Sequence, residues 1–320
     1  MSDASSESDF DVVVVGSVNT DYTVTGPRLP TPGTTITGSE FRIEPGGKGA
    51  NQALAAVRLG ARAALLARVG GDERGAASLQ QLRLAGVDTS AVSSDARAVT
   101  GAALVMVAES GEKQILTAPG ANHALSPAEV SSAGQLLART RVVLLQLEIP
   151  MATAEAAARL GRAAGARVVL DAGPAAPLSE ELLRDVHLIR ANSAEAEVLT
   201  GVRVDDTASA RRAAKNLLRR GAGAACVGAP GGNLLLTPEQ ELWLPHITVR
   251  AVDATGAGDA LSAGLAAALA QGMPLDEAAR LGHAAAALKT TKPGAQAGMP
   301  LRAEVLALLQ QVHRDGARRN

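Results

Sequence analysis

Residues 10–19, FDVVVVGSVN, form a continuous β-branched run that ends in Gly16 and Asn19. Without polar alternation, such a run predicts a strand covered on both faces, as in a parallel sheet between helical layers. Similar runs recur at 63–69, 142–147, 167–170, 187–189 and 224–227. Between them, 51–59, 75–84, 127–138 and 153–164 carry apolar residues at helical spacing. The alternation predicts an α/β fold: a central, mostly parallel β-sheet with helices on both faces, a Rossmann-like three-layer sandwich. From residue 259 the pattern is helical through 270, then over 275–289 and 302–313.

Two regions break the rhythm. One is about 20–43, rich in Thr, Pro and Gly; the other is about 100–117, where GAALVMVAESGEKQILT reads as two strands around a Glu-Ser-Gly-Glu turn. Together they predict a small β-sheet lid on a single domain spanning 1–320, with 1–8 as a disordered tail. No fixed-period repeat and no linker-like shift in composition interrupts the chain.

Composition narrows the function. With 320 residues at 47% hydrophobic content the chain can bury a full core. Lys+Arg 31 against Asp+Glu 32 leaves a formal charge of -1, so no broad basic field attracts nucleic acid or an anionic membrane. Aromatic residues make up 1%, too few for base-stacking platforms. The lone Cys226, the acidic opening MSDASSESDFD and the lack of a membrane-length apolar run predict a cytoplasmic protein with small-molecule partners. The five histidines lack metal-ligand spacing, so no zinc site is expected.

Ligands of open parallel sheets bind beyond the carboxyl ends of the strands. Residues there include Asn19, Asp21, Gln146, Glu148, Asp171 and Asn192. GGKGAN supplies Gly46, Gly47 and Gly49 for close backbone approach, with Lys48 and Asn51 as donors at a helix mouth. It reads either as a ligand cradle or as a glycine-rich helix start. It is not a Walker loop, because Gly49 follows Lys48, and no G-x-G-x-x-G follows the first strand. In DATGAGDALSAG, the amides of Gly256, Ala257 and Gly258 form a candidate anion hole. Asp259 then either stabilises the first helical turn or accepts the proton of a hydroxyl that attacks phosphorus. The helix dipole is expected to depress its pKa.

GGKGANQALAAVRLGARAALLARVGGD and DATGAGDALSAG resemble, in this order, the two signature regions of the ribokinase-like (PfkB) sugar kinases. GSVNTD, PTPGTTITG, LLQLEIP, NSAEAEVLTG and GHAAAALKTTKPGAQ extend the likeness from about 11 to 309. The resemblance implies transfer of the ATP γ-phosphoryl group to the 5-hydroxyl of D-ribose. It makes Asp259 the base and Gly256, Ala257 and Gly258 the anion hole. Asn19, Asp21, Gly47, Lys48, Gly49, Asn51 and Glu148 hold the sugar. Asn192, Val227, Gly228, Ala229, Pro230, Gly231, Gly232, Gly258 and His283 flank ATP. Asn192 and Glu195 organise Mg2+, partly through water. K+ sits beside Asp253 and backbone oxygens near Thr255, Lys289, Lys292, Gly294 and Gly298. The resemblance also implies a homodimer formed through the lid. Departures from the family pattern are Val227 for a threonine, the inserted Pro230, the charge at Asp171 and Ala254. The alternatives are a relative acting on deoxyribose, fructose or a nucleoside, and a sugar-binding protein with weak turnover.

Overall fold

A computed structural model describes residues 9–317, so the expected tail at 1–8 lies outside the described residues. The strands are β1 (Phe10–Val15), β2 (Asn19–Gly26), β3 (Glu40–Gly46), β4 (Ala63–Gly70), β5 (Val92–Asp95), β6 (Gly101–Ala108) and β7 (Lys113–Ala118). They continue with β8 (Thr140–Leu145), β9 (Arg167–Asp171), β10 (Leu188–Ala191), β11 (Ala225–Ala229), β12 (Gly232–Leu236) and β13 (Glu241–Pro245).

Among the described residues, nine strands form one sheet in the order β13-β12-β11-β10-β9-β8-β1-β4-β5. All neighbours from β5 to β11 pair in parallel, and the β12–β13 hairpin adds two antiparallel strands at one edge. From β1 the chain first builds outward through β4 and β5, then returns to lay β8 against the other side of β1. That reversal opens a crevice beyond the ends of β1 and β8. Strand β1 explains the three layers: Val12 and Val14 pack into one buried apolar cluster, and Val13 and Val15 into the cluster on the opposite face.

The second sheet has the order β3-β2-β6-β7. Its registers put Tyr22 beside Ile43 and Leu104, Val24 beside Phe41 and Met106, and Leu104 beside Leu116. These side chains therefore share one face, on which Phe41 and Leu116 are 60% and 67% exposed.

The structure differs from the sequence expectation in three places. The helical pattern over 127–138 breaks at Ala133 into Pro127–Ser132 and Gly134–Ala138. Strand β5 was not foreseen, because VSSD carries no apolar run. Nor was the β12–β13 hairpin, whose segments GNLLL and ELWLP are each only five residues long.

Helix Ala257–Ala270 buries every residue from Asp259 to Ala270. It lies directly against helix Leu275–Thr290, and a Cβ on Gly264 would come within 2.6 Å of the Gly282 Cα. Small residues thus set the spacing of this helix pair, and any added methyl must push the two apart.

Candidate active site

Helix Lys48–Arg58 starts against the crevice, but its glycines serve the chain itself. Gly47 has φ 89°, and a Cβ there would meet the Asn19 amide at 2.6 Å. A Cβ on Gly49 would lie 2.5 Å from the Ser17 amide. The first amides of the helix are already occupied: Lys48 N–H donates to Glu148 Oε2 (3.1 Å), Gly49 N–H to Ser17 Oγ (3.3 Å) and Ala50 N–H to the Ser17 carbonyl (2.9 Å). GGKGAN is therefore a close-packed helix start capped by a distant carboxylate, and its amides are not an anion cradle.

Its side chains do reach the crevice. Asn51 Nδ2 donates to Asp259 Oδ2 at 2.9 Å, and Gln52 Nε2 to Asp259 Oδ1 at 3.0 Å. Asn51 is 6% exposed, and its Oδ1 has no hydrogen-bond partner among the described residues. Lys48 Nζ stands 3.9 Å from Asp259 Oδ1. Glu148, after β8, also accepts from Ser17 Oγ at 2.5 Å and from Asn19 Nδ2 at 3.5 Å. Asn19 Oδ1 in turn accepts from Asn122 Nδ2 at 2.7 Å. Asp21, on β2, is half-buried and near enough to Glu148, Glu44 and Asp259 for their charges to act on it. The expected sugar-binding side chains thus converge on one place.

At the entry to helix Ala257–Ala270, Gly256 sits at φ 80° with no side-chain cap. Asp259 does not cap its helix; its carboxylate is spent on Asn51 and Gln52. The Ala257 amide donates to the Ala254 carbonyl at 3.1 Å. This takes Ala257 out of the expected three-donor hole and leaves Gly256 and Gly258 as its candidate amides.

Burial lifts the Asp259 carboxyl to about 6; Lys48, Asn51 and Gln52 oppose that rise and the Asp171 charge adds to it. The expected depression by the helix dipole is overturned, because loss of solvation outweighs it. Asp21 rises to about 7, through burial first and then through the nearby charges of Glu148, Glu44 and Asp259. Burial opposes the charge of Lys48, but Asp171, Asp259 and Glu148 outweigh it and hold the ammonium above its usual range.

Behind Asp259 lies a polar network that sequence reading largely missed. Gln52 Nε2 also donates to Asp171 Oδ2 (2.9 Å), as does Ser262 Oγ (2.9 Å). Gln146 Nε2 donates to Gln52 Oε1 at 2.6 Å. Arg190, on β10, places Nη1 3.3 Å from Asp171 Oδ1 and 3.5 Å from Glu195 Oε2. A Cβ on Gly258 would fall 3.0 Å from that same nitrogen, so the guanidinium lies directly beside the anion hole. Burial pushes the Asp171 carboxyl upward, yet Lys48 and Arg190 overcome it and bring it below the ordinary range. The available signal was a charged residue inside the apolar strand run VHLIRA.

Asn192 and Glu195 form a capping box: Asn192 Oδ1 accepts from the Glu195 amide (2.8 Å) and Glu195 Oε2 from the Asn192 amide (2.7 Å). Glu195 Oε1 points the other way, toward the space beside Gly173 that Lys48 Nζ also borders. One available carboxylate oxygen suits a Mg2+ held chiefly by phosphates and water.

A cleft of about 350 Å3 adjoins Gly258, lined by Arg190, Asn233, His246, Leu261, His283 and Ala287. Both nitrogens of His283 are engaged, Nδ1 with Asn233 Nδ2 and Nε2 with the Pro245 carbonyl, each at 2.9 Å. The expected nucleotide turn behaves differently. Val227 and Ala229 are buried in the core of β11, and Pro230 and Gly231 form the exposed hairpin tip. Gly228 backs Asn192, Gly232 lies beneath Trp243, and Asn233 is the residue of this hairpin that lines the cleft.

The expected K+ cage is closed by the chain. Asp253 Oδ1 accepts from the Thr255 amide and hydroxyl (2.9 and 2.7 Å), and Asp253 Oδ2 from the Gly294 amide (3.0 Å). The Lys289 carbonyl accepts from Lys292 N–H (3.2 Å), and the Gly294 carbonyl from Gly298 N–H (3.1 Å). Lys289 Nζ donates to the carbonyls of Asp253 (3.1 Å) and Lys292 (3.0 Å). These residues do gather in one place, but they hold an ammonium group, so they do not fit a free K+.

The family model of the pfkB family carbohydrate kinases matches residues 9–302. The chain is 38% identical over 301 residues to a ribokinase of Haemophilus influenzae, covering 93% of this chain and 98% of that one. It is 32% identical over 300 residues to a deoxyribokinase of Salmonella typhi, covering 91% and 96%. The solved structure of Arabidopsis thaliana ribokinase complexed with ribose and ATP matches with a TM-score of 0.86 at 32% identity, covering 93% of this chain and 98% of that one. With both signature segments meeting at Asp259 and the match running through nearly the whole chain, the protein belongs to the pfkB family of carbohydrate kinases.

Proposed function

We propose that the chain phosphorylates D-ribose at its 5-hydroxyl with ATP, giving ribose 5-phosphate and ADP. The observation that carries this reading is Asp259: a buried carboxylate oriented by Asn51 and Gln52, one residue beyond the Gly258 amide. The sugar lies against Asn19, Asp21, Asn51 and Glu148, and the orphaned Asn51 Oδ1 accepts one of its hydroxyls. Similarity to ribokinases, one of them solved with ribose and ATP, supports the same substrate pair.

In the transfer, the O5–P bond forms as the bond from the γ-phosphorus to the β,γ-bridging oxygen breaks, and ADP leaves. Asp259 aligns the hydroxyl and takes its proton. The amides of Gly256 and Gly258, with Lys48 and Arg190, stabilise charge on the moving phosphoryl group. Mg2+, when bound with ATP near Asn192 and Glu195, screens the phosphate charge. The nucleotide base and ribose lie in the cleft between Asn233, His246 and His283, and the small sheet covers the sugar so that water is excluded. Two copies pack through the exposed apolar face of that sheet.

The deciding experiment is ADP release measured over a panel of sugars. Ribose as the best substrate supports the proposal; a clear preference for 2-deoxyribose favours the second reading, which the 32% identity to a deoxyribokinase keeps in view. Ribose binding without ADP release would leave a sugar-binding protein instead.

A further inference from the structure

We infer that Lys289 is a built-in monovalent cation, so that this kinase, on the reading above, works without K+. Lys289 is fully buried, which for an ammonium group requires strong compensating partners. Those partners are the carbonyls of Asp253 and Lys292, at 3.1 and 3.0 Å. Both belong to the loops that a monovalent ion beside the anion hole would bind. Other oxygens of those loops are committed as well: the Asp253 carboxylate to Thr255 and Gly294, and the Gly294 carbonyl to Gly298.

Gly298 makes the arrangement sterically possible. A Cβ there would stand 2.9 Å from both Lys289 Cε and the Lys292 carbonyl. Any side chain at 298 would drive the lysine stem out of its channel, so the lysine and the glycine function as a pair. The loop 253–255 that the ammonium anchors runs straight into Gly256 and Gly258. A cation tethered to helix Leu275–Thr290 orients that loop as a bound ion would, but it cannot dissociate. Its charge is present at every salt composition.

The test compares K+ with N-methyl-D-glucamine as the sole monovalent cation, reading ADP release and, independently of turnover, the thermal midpoint. The wild-type protein should change by no more than about twofold in rate and show the same midpoint in both salts. Lys289→Met vacates the cage; it should lose rate on the order of tenfold or more in N-methyl-D-glucamine, and K+ should restore both rate and midpoint. Strong K+ activation of the wild type, or a Lys289→Met protein with the wild-type response to K+, overturns the inference. If Lys289→Met does not fold, the wild-type comparison decides alone. A protein that releases no ADP with any sugar refutes the kinase reading, while the thermal midpoints still judge Lys289.

Discussion

The guanidinium of Arg190 lies 3.3 Å from the carboxylate of Asp171, with the two side chains 12% and 0% exposed. This buried ion pair stands directly behind the anion hole and shares Gln52 with the proposed base. Removing Asp171 leaves the buried guanidinium with Glu195 alone, at 3.5 Å. Asp171→Ala is expected to cost about 3 to 5 kcal/mol of folding stability, measured by chemical denaturation. Arg190→Ala should lower kcat on the order of 10²-fold with little change in the KM for sugar, because its charge acts on phosphate. A normal kcat in the arginine variant would reduce the pair to a structural role.

Asp259 has a sharper expectation. Asp259→Asn keeps the shape but turns one of the two accepting oxygens, which meet Asn51 Nδ2 and Gln52 Nε2, into a donor, and it cannot take a proton, so kcat should fall roughly 10²- to 10⁴-fold. Sugar binding, followed by calorimetry, should change far less. Wild-type turnover in this variant would reject Asp259 as the base.

The raised carboxyls predict a pH profile. Asp259 must be charged to act, and its pKa of about 6 means that activity is full above that value and lost as pH falls through it. Asp21, near 7, adds a second protonation in the same range, so the profile belongs to the pair and is broader than a single titration. Asp21→Asn should sharpen kcat/KM to one acid limb; an unchanged profile would remove Asp21 from the titrating set.

Asn51 bears on sugar choice. Its buried Oδ1 has no partner among the described residues, so on the proposed function loss of the sugar hydroxyl that meets it leaves it unpaired. A sugar lacking that hydroxyl should lose on the order of 10² in kcat/KM, and Asn51→Asp should weaken ribose binding by placing a second charge beside Asp259. Ribose and 2-deoxyribose compared in the ADP-release assay show whether the 2-hydroxyl is the one that Asn51 meets.

The lid offers a test in solution. If two copies pair through its apolar face as proposed, light scattering should report a dimer for the wild type and a monomer for Phe41→Asp with Leu116→Asp, which puts charge on it. A wild-type protein that is itself monomeric would refute pairing through this face.

Strong local signals made the layered fold and the position of Asp259 readable from sequence: the β-branched run before Gly16, and the small residues from Gly256 to Gly258. What escaped the reading depends on contacts distant in sequence. Gln52, Asp171, Arg190 and Ser262 come from four separate segments; the charge inside VHLIRA marks Arg190 as unusual, but no segment by itself shows which partners it meets. The sign of the Asp259 shift escaped for a related reason. A helix dipole can be inferred from sequence, whereas the depth of burial that defeats it depends on how the layers pack. Sequence leaves GGKGAN open between a ligand cradle and a packed helix start, and the close neighbours of its glycines, Ser17 and Asn19, decide for the second.

The contact between Gly264 and Gly282 gives the site a mechanical property. One helix begins beside Gly256 and the other ends beside Lys289, so the seam joins the proposed phosphoryl pocket to the proposed internal cation. On the proposed function, a methyl group added at the seam, distant from sugar and nucleotide alike, is expected to shift the Gly256 and Gly258 amides and lower turnover. A stretch of sequence that looks like inert alanine filler is in this sense the calibration of the active site.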